Sequence, residues 1–244
     1  MKNLLLILFI YLCNILGLAQ NNIEIQQYQG AFDHISSMLK GEREYDFKKA
    51  VFYTENAFLE GQLDSVEFES KIQGLVFIIN QYNLANQDNF NYSYDDREIQ
   101  LKRASIFKVM TDTIPIQYSN NITLENYPFV YDFEDAIGRN DWTKMFVSKL
   151  LEEHNGNCHS LPYLYKILAE EIGVSANLAI APNHMYIKHS STRMGMYNTE
   201  LTSATFPIDA WLMSSGYIHL DAIRNGIYMD TLDKKESLAL CLLD

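Results

Sequence analysis

Cys158 follows Gly156 and Asn157 where a cluster of turn residues gives way to an apolar pattern at helical spacing. A thiol in the first turn of a helix meets backbone N–H groups with no intrahelical partner and the positive end of the helix dipole. Both favour the thiolate and make the sulfur a usable nucleophile near neutral pH. Gly156, having no side chain, is expected to leave room for a substrate backbone. A thiol nucleophile also needs a base within hydrogen-bond reach and a third group that orients the base. His184 is the best base, because it heads the strand-like run 184–189. In the next run, 196–201, Asn198 and Glu200 have the same parity, so one register would bring either of them beside His184. The chemistry is attack on an acyl carbon by Cys158. His184 carries the proton and Glu200 orients it, with Asn198 as the alternative third residue.

Each of these residues also has a plainer reading. A single buried cysteine is commonly an inert small hydrophobe. Cys158 and Cys241 have the composition for a disulfide in an exported chain. A strand histidine can be a hydrogen-bonded core group. His154, Cys158, His159, His184 and His189 supply zinc-ligand types, but their spacings match no standard structural site. The order of glycine, helix-start cysteine, strand histidine and strand acid is more specific than any member of it.

The elements that must hold these groups follow from periodicity. Leu161, Leu164, Leu168 and Ile172 recur on one helical face after Asn157, a residue type that caps helix starts, and Gly173 closes the element. An apolar run over 174–181, punctuated by Pro182-Asn183, precedes the two strands 184–189 and 196–201. Upstream, Asp46 and Asp64 introduce helical stripes. Residues 80–96, rich in Asn, Asp and Tyr, read as a loop, and 97–111 as a further helix. Trp142 to Leu150 continues at helical spacing as one element. A helix followed by antiparallel strands is an α+β layer arrangement. The expected divisions are a helical N-terminal region over 20–112, a core over 113–236 and the start of a helix over 237–244. That last helix has no closing turn, so the chain is expected to be a fragment of something longer.

Gly156-Asn157-Cys158 opening a helix, followed by Leu168-Ala169-Glu170-Glu171-Ile172-Gly173-Val174-Ser175-Ala176, resembles the transglutaminase-like superfamily. His184 and Glu200-Leu201-Thr202 stand where that superfamily places its histidine and its acid, with Glu200 in place of the usual Asp. The resemblance covers roughly residues 140–205. It implies a papain-like core, in which the cysteine helix packs on a small antiparallel sheet. It also implies acyl transfer or amide hydrolysis on peptide or protein substrates through Cys158, His184 and Glu200, with no cofactor. The rival expectation is a binding module that keeps this fold without turnover.

Composition narrows the partners. Nineteen basic against 31 acidic residues give a formal charge of -12, which disfavours nucleic acid. Three cysteines in 244 residues are too few for a disulfide-stapled scaffold. Met1-Lys2-Asn3, an apolar run over 4–12 and Gly17-Leu18-Ala19 have the pattern of an export signal cleaved after residue 19. That run is too short to span a bilayer, so an exported protein without stable membrane insertion is expected.

Overall fold

The computed structural model describes residues 25–119 and 122–244; the expected export signal over 1–19 lies outside them. In chain order, a first helix α1 covers 25–39, followed by α2 (Phe47–Phe58), α3 (Ser65–Asn86) and α4 (Arg97–Thr111). Strands β1 (Ile114–Ser119), β2 (Ile122–Asn126) and β3 (Val130–Tyr131) come next. A 3-10 turn (Trp142–Met145), α5 (Val147–Glu153), β4 (Asn155–Gly156) and α6 (Ser160–Glu171) lead to β5 (Asn177–Ala181), β6 (His184–Ser191) and β7 (Gly195–Thr199). Helices α7 (Asp209–Ser215), α8 (Leu220–Arg224) and α9 (Lys234–Leu240) complete a mixed α+β chain.

The chain divides into two compact units. One comprises the residues up to Asp64 together with Lys234–Asp244, and the other comprises Ser65–Asp233. By this grouping α3 and α4 fall in the same unit as the sheet, and α9 in the same unit as α1 and α2. In the first unit, Asp46 caps α2 by accepting from the Lys49 N–H. There, too, Thr54 donates to the Cys241 carbonyl at 2.7 Å.

The second unit is built around α6. Its side chains from Ser160 to Ala169 are buried all round, because α6 packs against α3, α4 and α5 and against β5 and β6. The predicted apolar stripe was too narrow a picture, since a helix at the centre of a unit has no solvent face. Each of its leucines contributes about 2 kcal/mol of burial. Gly173, at φ 73°, ends α6 with the Val174 N–H bonded to the Ala169 carbonyl and the Gly173 N–H to that of Glu170. This left-handed closure is one that glycine adopts at little cost.

Two expectations need correction. Helix α3 continues to Asn86, so residues 80–86 are helical. Ile79 is fully buried, Asn83 donates to Ser105 of α4, and the packing against α4 overrides the local preference of Asn for turns. The single helix expected from Trp142 breaks at Phe146, whose backbone is extended while its ring is buried.

The sheets are small. β1 and β2 form an antiparallel hairpin, and β3 and β4 a two-residue parallel pair. β5, β6 and β7 form an antiparallel sheet in that order. Pro182-Asn183 turns β5 into β6, with Ala181 opposite His184 and Asn183 at φ 54°, a conformation Asn tolerates.

Candidate active site

The loop before α6 holds Cys158 by capping. Asn157 is fully buried, and its Oδ1 accepts from the N–H groups of His159 at 2.9 Å and Ser160 at 3.2 Å. The Asn157 carbonyl accepts from Leu161, and Ser160 Oγ accepts in return from the Asn157 N–H at 3.1 Å. This reciprocal pair has the logic of a capping box, with Ser in the place of Glu. It makes Asn157 the cap and puts Cys158 in the first turn, although regular helix begins at Ser160. A Cβ on Gly156 would lie 2.4 Å from Ser160 Oγ and 2.9 Å from Leu150 Cδ1. Gly156 thus makes room for the capping serine and for α5, not for a substrate as expected from the sequence. Any side chain there would displace the turn that carries the thiol.

The histidine comes from the hairpin. In the β6–β7 register Ile187 faces Thr199 and Lys188 faces Asn198, so His184, Tyr186, Lys188, Asn198 and Glu200 share one face. His184 Nε2 lies 2.5 Å from Glu200 Oε2. The other carboxylate oxygen, Oε1, accepts from the Thr202 N–H at 3.0 Å and the Thr202 hydroxyl at 2.7 Å. Backbone bonds between Glu200 and Thr205 close the loop that supports this arrangement. Glu200 is 3 % exposed and His184 26 %. Burial disfavours the charged ring, but hydrogen bonds that it donates to Cys158 and Glu200, reinforced by their negative charges, outweigh it. His184 is pushed up to about 10 and is an imidazolium at neutral pH. Glu200 occupies Nε2. The sulfur is half-buried and also lies 3.8 Å from the Asn183 carbonyl in the β5–β6 turn.

Asn198 does not compete for the third position. It sits opposite Lys188, four residues and about 13 Å along the strand from His184. Its amide donates to the Pro207 carbonyl and to Asp209. Shared parity placed it on the correct face, but only the register separates it from the histidine. Neither Cys158 nor Cys241 is in a disulfide. The remaining histidines have separate duties. His154 stacks on Phe129, His159 bonds the Met145 carbonyl, and His189 is buried against the Tyr165 hydroxyl. Among the described residues no three His, Cys, Asp or Glu side chains gather as metal ligands.

Tyr131 was not legible in the sequence. The β3–β4 pairing sets it opposite Gly156, and the Asp132 N–H bonds the Gly156 carbonyl at 2.7 Å. Burial first, and then the charges of Cys158 and Glu200, raise its phenol above the ordinary range. Its hydroxyl finds no hydrogen-bond partner among the described residues. A two-residue parallel pairing has no periodicity from which it could have been read. Comparison with known protein families, with curated proteins and with solved structures finds no match.

Proposed function

We propose that this chain is an exported, transglutaminase-like thiol enzyme that transfers or hydrolyses acyl groups of peptide or protein amides. One observation carries the reading: a first-turn cysteine lies near enough to a histidine to raise its pKa, and that histidine's Nε2 is held 2.5 Å from a buried glutamate. The half-exposure of both Cys158 and His184 favours turnover over a binding module with a filled cleft.

The thiolate of Cys158 attacks the amide carbon. The carbonyl π electrons move onto oxygen, forming the tetrahedral intermediate. As that intermediate collapses, the C–N bond breaks and His184 gives its proton to the departing amine, leaving a thioester. Water or a second amine then attacks the thioester while His184 takes its proton, and the thiolate departs. Hydrolysis and transamidation differ only in this last nucleophile. Glu200 holds the ring throughout.

Few backbone donors at the start of α6 are open to the oxyanion. The His159 and Ser160 N–H groups are occupied by Asn157, whereas the Cys158 N–H has no acceptor among the described residues. The Tyr131 hydroxyl supplies a second donor. Tyr131→Phe is therefore expected to slow acylation by an activated ester by about 10²-fold. Its alkylation by iodoacetamide, which develops no oxyanion, should be unchanged. Equal loss in both assays would reduce Tyr131 to a structural role.

The reading itself is tested by incubating folded, reduced protein with p-nitrophenyl acetate. The expected result is a burst of nitrophenol and one acetyl group on Cys158 by peptide mass spectrometry. Cys158→Ala, with an unchanged melting profile, should show neither. A wild-type protein that forms no Cys158 adduct, and that behaves as the variant does, would end the proposal.

A further inference from the structure

Away from Cys158, a cavity of about 600 Å³ opens beside β7, α4 and the 206–209 segment. Neither Cys158, His184 nor Glu200 lines it. Its walls are aromatic: the Phe107 and Phe206 rings lie 4.5 Å apart, and Tyr197 lies 6.4 Å from Phe206. Met194 and Met196, each more than half exposed, stand at its mouth. The volume falls in the range that encloses a small organic ligand, and methionine and aromatic walls adapt to apolar shapes.

The two charged residues on the wall, Asp209 and Arg103, are partnered differently. Asp209 is paired with Lys188 at 3.4 Å and receives the Asn198 amide at 2.7 Å. Arg103, by contrast, is 5 % exposed, and its guanidinium bonds only neutral oxygens. These are the Ser175 carbonyl and hydroxyl and the Ser190 carbonyl. No carboxylate lies at ion-pair distance from it among the described residues. A buried cation without a counter-ion is costly, and in a low-dielectric wall its field acts strongly on whatever enters. Thr199, at the same wall, is buried with its hydroxyl unpaired among the described residues.

We infer that this cavity is a binding site for a small amphiphile with one negative charge: an apolar aliphatic or aromatic body ending in a carboxylate. The body fills the aromatic chamber and the carboxylate supplies the charge that Arg103 lacks. This site is independent of the thiol chemistry.

Calorimetric titration of the full chain with decanoate, decanol and decyltrimethylammonium tests the inference. Decanoate should bind saturably at one site, decanol about tenfold more weakly or worse, and the cation not at all. Ala104→Phe, which projects a ring from α4 into the cavity, should abolish decanoate binding while the fold is retained. Met196→Trp at the mouth should have the same effect from β7. The inference is overturned if decanoate does not bind, if both variants bind it as the wild type does, or if the alcohol or the cation binds equally well. None of these outcomes depends on whether Cys158 can be acylated.

Discussion

Replacing His184 with Ala is expected to slow reaction of Cys158 with iodoacetamide by about 10³-fold at pH 6, within the range attributed to general acid–base partners. The cause lies in where the proton rests. In the wild type His184 is held near 10 by Cys158 and Glu200, so below that pH the ring carries the proton. The charge next to the sulfur then persists through the neutral range. The wild-type alkylation profile should carry a change near 10, where His184 loses its proton. In His184→Ala nothing next to the sulfur carries that proton, and the rate should climb steadily with pH instead. Superimposable pH profiles for the two proteins would show that His184 does not act on Cys158.

Glu200→Gln is the second large effect, and it separates orientation from stability. Gln can keep the acceptor that Thr202 binds, but it then presents an NH₂ to His184 Nε2 where Glu presents an oxygen. The ring must become an acceptor at Nε2, which forces the proton to Nδ1 and removes the charge that faced the sulfur. A loss of about 10⁴-fold in acylation is expected with the fold intact, as for other triads whose acid becomes an amide. The pH dependence of stability supplies a second readout. His184 has a folded value raised above its unfolded value of 6.5. Its contribution is therefore fully present below about 6.5 and is lost as pH rises towards 10. Urea denaturation should show this alkaline loss in the wild type and a much smaller one in Glu200→Gln. Glu200→Ala leaves the imidazolium beside a void and should cost about 3 kcal/mol at pH 7. An unchanged titration of His184 by NMR in Glu200→Gln would remove Glu200 from the site.

Much of the apparatus around Cys158 was legible from local rules. Asn157 and Gly173 frame α6 because capping and left-handed closure depend on one or two residue types. Strand parity put His184 and Glu200 on one face because side chains alternate whatever the partner strand. Parity has a period of two residues, however, and cannot distinguish Glu200 from Asn198. That choice rests on the register, which the loop closed by Glu200 and Thr205 helps to fix. The role of Gly156 was misread for a related reason. A missing side chain announces a close approach, but not of what, and here the neighbour is Ser160.

Local patterning specifies the helix that carries the thiol, the strands that carry the imidazole and the carboxylate, and the order of all three. These depend on interactions between residues close in the chain, whose geometry the backbone dictates. Tertiary structure alone decided that Glu200 rather than Asn198 meets His184, that Tyr131 stands beside Cys158, and that α3 and α4 pack with the sheet. It also decided that Arg103 is buried beside the cavity with no carboxylate at ion-pair distance among the described residues. Each of these joins residues far apart in sequence. No local period records such pairings, because their energies come from desolvation and packing that exist only once the chain has closed on itself.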